Sequence, residues 1–122
     1  MAHAPWGGGV FYDVGGCCAG NNRLYYDQNP SLLNRTTHMV FRCRTSATPY
    51  RQIFEDTVEK VNSGGNSTAT MTFGTTPAII GGFDSSGGSW KGNLYIFRLY
   101  NRALTNEEVL QNYNATKARF GL

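Results

Sequence analysis

Charged residues are scarce in this sequence: Asp, Glu, Lys and Arg together fill 16% of its 122 positions, against 40% hydrophobic and 13% aromatic. Intrinsic disorder needs the opposite balance, so the chain is read as folded. Its length suits one domain and is too short for two full cores. Long apolar runs are missing as well. Nothing approaches the roughly 20 consecutive residues that span a bilayer, and Met1–Gly9 lacks the basic start and apolar middle of a signal peptide. A soluble chain without membrane insertion is expected.

Cysteine is sparse too. Cys17, Cys18 and Cys43 are an odd set, and vicinal cysteines seldom bridge each other because the geometry is strained. Their spacing also misses the paired ligands of a structural zinc site, so free thiols are expected. Basic residues exceed acidic ones by three, but they are scattered rather than gathered in a stripe, which argues against nucleic acid as a partner. No Gly-x-Ser-x-Gly elbow, His-Glu-x-x-His, phosphate loop or dinucleotide fingerprint occurs. The one local acidic cluster is Glu55, Asp56 and Glu59. It is placed at an exposed hairpin tip, where neither carboxyl would be tuned for acid work, and the chain is read as not an enzyme.

What the sequence does have is 15 glycines among many Ser, Thr and Asn, a composition of short strands and turns. Strands are predicted over Val10–Val14, Arg23–Tyr26, Thr37–Arg44, Arg51–Glu55, Val58–Val61, Ala69–Phe73, Ala78–Gly82 and Leu94–Tyr100. In Thr37–Arg44, Met39, Phe41 and Cys43 share one face, and His38, Val40, Arg42 and Arg44 the other. Leu94–Tyr100 is nearly unbroken in its apolar and aromatic character, which predicts a position inside the structure.

Only the tail reads as helix. Thr105 and Glu108 have capping-box spacing, Leu104 and Val109 flank the cap as a hydrophobic staple, and Glu107 and Glu108 precede Lys117 and Arg119 in the order the helix dipole favours. Val109, Leu110 and Tyr113 are the expected docking stripe, with Phe120 closing the contact and Gly121 ending the helix. Calcium ligation needs oxygen donors but no linear motif, which leaves Asp13, Asp27 and Asp84 as candidate cation ligands. Sequons at Asn34, Asn66 and Asn114 match what a chain rich in Asn, Ser and Thr yields by chance.

The stretch Trp90–Val109, with Gly92, the apolar run, Tyr100-Asn101-Arg102-Ala103-Leu104, Thr105 and then acids, resembles the closing segment of concanavalin A-like, laminin G-like jelly-roll domains. Pro5–Asp13, Thr37–Phe41, Ile53–Val58 and Ala78–Gly82 resemble further strands of that family, so the resemblance spans nearly the whole chain, 1–122, as a single domain. It implies an all-β fold: an antiparallel β-sandwich of jelly-roll type with one short C-terminal α-helix. The ending through Arg119-Phe120-Gly121 is similar to versions in bacteriophage structural proteins. The resemblance thus implies a non-enzymatic structural, decoration or adhesion component of a virion, with a carbohydrate-binding lectin-type module as the alternative.

Two departures accompany the resemblance. The family's usual first strand or strands have no counterpart before Trp6, which predicts an open sheet edge that a partner chain would fill, either in a homo-oligomer or on a capsid shell. Glycosidase members of the broader fold carry a Glu-x-Asp-x-x-Glu strand, and none occurs here. Arg35, Arg42, Arg44 and Arg51 are the candidate partner contacts. Trp90, Asp84 and Asn93 are the candidate sugar-binding set, an aromatic to stack on a ring beside groups that read hydroxyls. No cofactor is required by this reading, and calcium is the one candidate ion.

Overall fold

A computed structural model describes residues 2–6, 8–13, 23–44, 50–63, 80–81 and 91–122, with backbone alone for 2–6. The fold is mostly β, with two antiparallel sheets and one C-terminal helix. Strands β1 (Ala2–Trp6), β2 (Gly9–Asp13) and β3 (Arg23–Asp27) form the first sheet in that order; β4 (Met39–Cys43), β5 (Arg51–Glu55) and β6 (Val58–Asn62) form the second. Helix α1 spans Asn106–Phe120. Pro5 within β1 is tolerated because, among the described residues, that strand lies at a sheet edge.

Alternation in β2 and β3 sends Val10, Tyr12, Leu24 and Tyr26 to one face, where they form the core with Ile53 of β5. Met39, Phe41, Cys43 and Val61 pack against this cluster from the second sheet. Among the described residues, polar contacts bind the sheets across the apolar layer. The Tyr26 hydroxyl donates to Glu55 Oε2 at 2.6 Å, and Arg51 Nη1 donates to the Tyr12 carbonyl at 3.1 Å. Arg51, Ile53 and Glu55 alternate along β5 on the same face, so each end of this buried strand carries a charged group that reaches the other sheet.

The β5–β6 hairpin turns on Asp56 and Thr57, both with positive φ (48° and 79°), the backbone signature of a two-residue hairpin loop of the primed type. Ile53 faces Val61 while Phe54 faces Glu59, which leaves Lys60 as a bulged residue. The bulge turns Lys60 toward Glu55 and the ring of Tyr26, its Nζ lying 4.0 Å from Glu55 Oε2 and 5.5 Å from the ring centroid.

Helix α1 starts as its sequence predicts. Thr105 Oγ1 accepts from the Glu108 N–H at 3.2 Å, and the Glu108 carboxylate accepts from the Thr105 N–H at 2.8 Å, closing the capping box. Arg102 binds the same carboxylate with both terminal nitrogens, and that pair together with the capping bond holds the Glu108 carboxyl at about 2. Gly121, at φ 70°, is the left-handed C-cap, and its N–H bonds the Lys117 carbonyl. Leu104 and Val109 are both buried, as a staple requires. The stripe itself is narrower than expected: Val109 and Thr116 are buried, Tyr113 is half-buried, and Leu110 is 47% exposed. One residue past Val109 is about 100° around the helix, which carries Leu110 off the packed side.

Leu94–Tyr100 departs most from expectation. It lies outside helix and strand, has no ladder partner among the described residues, and exposes its apolar side chains: Leu94 54%, Tyr95 54%, Phe97 57%, Leu99 84%. Apolar sequence reports a need for burial, whereas burial itself requires a facing partner. Its partners within the described residues include Phe120, whose ring stacks on Tyr95 with centroids 4.9 Å apart, and Asn112, whose side chain donates to the Tyr100 hydroxyl at 3.1 Å. Ala69–Phe73 and most of Ala78–Gly82 lie outside the described residues.

Candidate functional site

Three arrangements bring chemistry-bearing side chains together. The first surrounds Glu55 at the end of β5. Its carboxylate, 8% exposed, accepts from Tyr26, is bonded by Arg35 Nη2 and lies beside Lys60. Burial alone would raise its pKa; the hydrogen bonds from Tyr26 and Arg35 and the charges of Arg35 and Lys60 outweigh this and hold the carboxyl below its usual range. Arg35 also reaches Asp56 Oδ2 at 3.7 Å, and Asp56 Oδ1 accepts the His38 N–H at 2.8 Å. His38 packs its ring 5.9 Å from that of Tyr113 on α1, and its Nδ1 is buried without a hydrogen-bond partner. Burial lowers the His38 pKa, Asp56 opposing and Arg98 adding to the shift, so the ring is held neutral.

The second arrangement lies on the opposite face of the second sheet, where β4 meets the start of α1. Arg42 is 4% exposed. Its Nε donates to Gln52 Oε1 at 2.8 Å, its Nη1 to the Leu104 carbonyl at 2.7 Å, and its guanidinium lies 4.6 Å from the centroid of the Phe54 ring. Gln52 bonds Glu59 in turn, and Asn62 bonds Glu59 as well. A shallow cleft beside these residues is lined by Arg42, Arg44, Gln52, Leu104 and Glu107. The guanidinium thus holds the segment before the helix onto the sheet.

The third arrangement is on the outer face of the first sheet. Register pairs Gly9 with Asp27, Phe11 with Tyr25, and Asp13 with Arg23. The Phe11 and Tyr25 rings stack with centroids 5.8 Å apart and planes 19° from parallel. Arg23 lies 4.6 Å from the Phe11 centroid and binds Asp13 through two nitrogens, at 2.9 and 2.7 Å.

These placements revise several sequence expectations. Glu55 is buried rather than exposed at a hairpin tip, because it ends β5 on the core-facing side. Glu59 points to the other face of the sheet, alongside Phe54, so the two glutamates do not form an acid pair across one cleft. Arg42 and Arg51 are corrected from partner contacts to buried internal groups, 4% and 2% exposed, spent on backbone carbonyls of this chain. Arg35 is 31% exposed but committed to Glu55 and Asp56; Arg44 is half-buried next to the cleft.

Asp13 and Asp27 do not fit a shared cation. They sit at opposite ends of the β2–β3 ladder, roughly 14 Å apart by strand rise, and both oxygens of Asp13 are bound by Arg23. Among the described residues no group of three or more His, Cys, Asp or Glu gathers around one point. Asp84 and Trp90 lie outside the described residues, and Asn93 is exposed. Cys43 is half-buried and free, its thiol pushed up by burial.

The Glu55–Tyr26–Arg35 and Arg42–Leu104 contacts were not legible as a site because they join elements far apart in sequence. The Phe11–Tyr25 pair was within reach: alternation in Val10–Val14 and Arg23–Tyr26 puts both aromatics on the face away from Val10, Tyr12, Leu24 and Tyr26. No helix among the described residues is long and apolar enough to cross a membrane. Compared with known proteins, the chain matches no family model, no curated protein and no solved structure.

Proposed function

We propose that the chain is a non-enzymatic structural or decoration component of a bacteriophage particle, built on a jelly-roll β-sandwich and working by attachment to other protein chains. The observation that carries the attachment is Leu94–Tyr100, a run outside helix and strand whose apolar side chains are exposed and which has no ladder partner among the described residues. Such a segment offers backbone donors and acceptors together with apolar side chains, the combination that strand addition uses. Its one charge, Arg98, lies in an otherwise apolar row and favours a partner surface that supplies a carboxylate at that point. The phage setting draws on the resemblance of Trp90–Val109 and of the Arg119-Phe120-Gly121 ending. The sandwich draws on the common core of the two sheets.

The non-enzymatic part draws on the state of the carboxylates. Glu55 is ion-paired and buried, Asp13 is bound by Arg23, Glu59 is bound by Gln52 and Asn62, and Glu108 caps a helix. Sedimentation or light scattering of the purified chain tests the attachment. Oligomers at micromolar concentration that dissociate in Phe97→Glu and Leu99→Glu, with the far-ultraviolet spectrum kept, are expected. A parent chain that stays monomeric at those concentrations and shows the amides of 94–100 fully protected from exchange would refute it.

A further inference from the structure

Alternation puts His38, Val40 and Arg42 on the face of the second sheet that looks away from the common core, and both ends of this row touch the C-terminal segment. Arg42 Nη1 donates to the Leu104 carbonyl at 2.7 Å, and the His38 ring lies 5.9 Å from the ring of Tyr113. His38 and Arg42 are four extended residues apart, about 13 Å. Nine residues at helical rise separate Leu104 from Tyr113, also about 13 Å. The matched spacing lays α1 along β4 in the opposite direction, fastened before its start by a hydrogen bond and midway by a ring contact. We infer that the His38–Tyr113 contact is a proton-operated latch: protonation of His38 releases the C-terminal half of α1 from the second sheet while the sheets stay folded.

The latch follows from where a second ring proton has to be accommodated. An imidazolium carries an N–H at both nitrogens, whichever one holds the proton in the neutral ring. His38 Nδ1 is buried without a hydrogen-bond partner, so in the charged ring its N–H meets neither water nor an acceptor. A charged donor left in that state costs more than a neutral one. The surrounding charges do not offset this. Asp56 accepts the backbone N–H of His38 at 2.8 Å and lies 3.7 Å from Arg35, so its charge is already shared. Glu55 is bound by Tyr26 and Arg35 and stands beside Lys60. Arg98, in the segment before the helix, adds positive charge, and on α1 itself Lys117 Nζ is 5.8 Å from the Tyr113 centroid. The acids of α1, Glu107 and Glu108, lie in its first turn, with Glu108 held by Arg102. Burial, with Arg98 adding and Asp56 opposing, holds the His38 pKa below 6.5, so the docked state prefers the neutral ring.

The helix is the side that yields. His38 is pinned to the sheet through its backbone, its N–H donating to Asp56 Oδ1 and its carbonyl accepting the Asp56 N–H at 2.9 Å. Tyr113 meets the ring by packing alone. Arg42 still holds the Leu104 carbonyl, so the movement pivots there and grows toward Phe120. Leu94–Tyr100 shares in the release, because Tyr95 stacks on Phe120 and the Tyr100 hydroxyl accepts from Asn112. The latch goes beyond attachment through that segment and does not rest on it.

Amide hydrogen exchange of the full chain from about pH 7.5 to about 5.5, corrected for intrinsic rates, tests the latch. Linkage limits the response to about tenfold per pH unit below 6.5. Protection of amides 112–120 is expected to fall roughly three- to tenfold over the last unit, with amides 51–55 of β5 constant within about twofold. The Tyr113 ring resonances should track the imidazole titration of His38. His38→Phe keeps a ring against Tyr113 but takes no proton, so its helix protection should not change with pH. The Tyr113 resonances of the unsubstituted chain report the latch even if that variant fails to fold. Constant helix protection across the range, a loss shared equally by β5, Tyr113 resonances that ignore the His38 titration, or a pH response that survives in folded His38→Phe would each overturn the inference.

Discussion

Asp56 and Thr57 both have positive φ in the same two-residue turn, yet removing their side chains is expected to have opposite effects. At φ 79°, Thr57 carries a branched Cβ in the left-handed region, which costs a non-glycine residue about 1–2 kcal/mol. Its hydroxyl makes no hydrogen bond among the described residues. Thr57→Gly removes that strain while adding about 0.4–1 kcal/mol of unfolded-chain entropy, for a net gain near 0.5–1 kcal/mol. Asp56→Gly removes a smaller strain, since Asp tolerates this conformation better. It also deletes the acceptor of the His38 N–H at 2.8 Å and the carboxylate 3.7 Å from Arg35. An amide left unpaired costs about 1–3 kcal/mol, so this variant should lose roughly 1–2 kcal/mol overall. Urea unfolding followed by circular dichroism, with unchanged m-values, measures both. For a chain of this size the Thr57 gain corresponds to a rise of about 2–4 °C in thermal midpoint. A Thr57→Gly midpoint at or below that of the parent, or an Asp56→Gly midpoint above it, would refute the strain argument.

Acid should destabilise the fold in two separable steps. The His38 pKa is lowered from 6.5, so its contribution is fully present above that pH and is lost as pH falls toward the folded value; His38→Phe should flatten unfolding free energy between about pH 7 and 5. The Glu55 pKa is lowered from 4.5, so its contribution is present above that value and fades below it. Glu55→Gln, less stable at neutral pH, should show a shallower loss in denaturant titrations below about pH 4.5. Arg42→Lys should cost about 2 kcal/mol despite keeping the charge, because an ammonium cannot reach Gln52 Oε1 and the Leu104 carbonyl in the planar fork that Arg provides. A calorimetric midpoint equal to the parent's would contradict that role. Thr105→Ala should lower the thermal midpoint by an amount matching about 1 kcal/mol through loss of the cap, with hydrogen exchange quickening first at the amides of 107–109.

Short-range rules account for the features that were legible from neighbouring residues alone. Helix α1 begins at Asn106 because Thr105 and Glu108 stand three residues apart, and ends before Gly121 because glycine takes φ 70° without penalty. Alternation placed Met39, Phe41 and Cys43 against the core and left Arg42 on the other side, as observed. Five of the predicted strands, from Val10–Val14 to Val58–Val61, recur as β2 to β6 within one or two residues. Neighbours within a turn or a strand period are enough to specify these features.

What the sequence withheld are the contacts between residues distant along the chain. Tyr26 and Glu55 are 29 positions apart, Arg51 and Tyr12 39, and Arg42 and Leu104 62, and nothing local in any of these residues names its partner. Alternation marks Glu55 and Arg51 as facing the same way as Ile53, yet only the second sheet's position over the first turns that direction into burial and converts expected surface charges into ties between layers. The same limit explains Leu94–Tyr100. Its composition demands cover, but hydrophobicity is a property of a segment, whereas burial is a property of a pair of surfaces, and tertiary structure alone decides which surface, if any, is there to meet it.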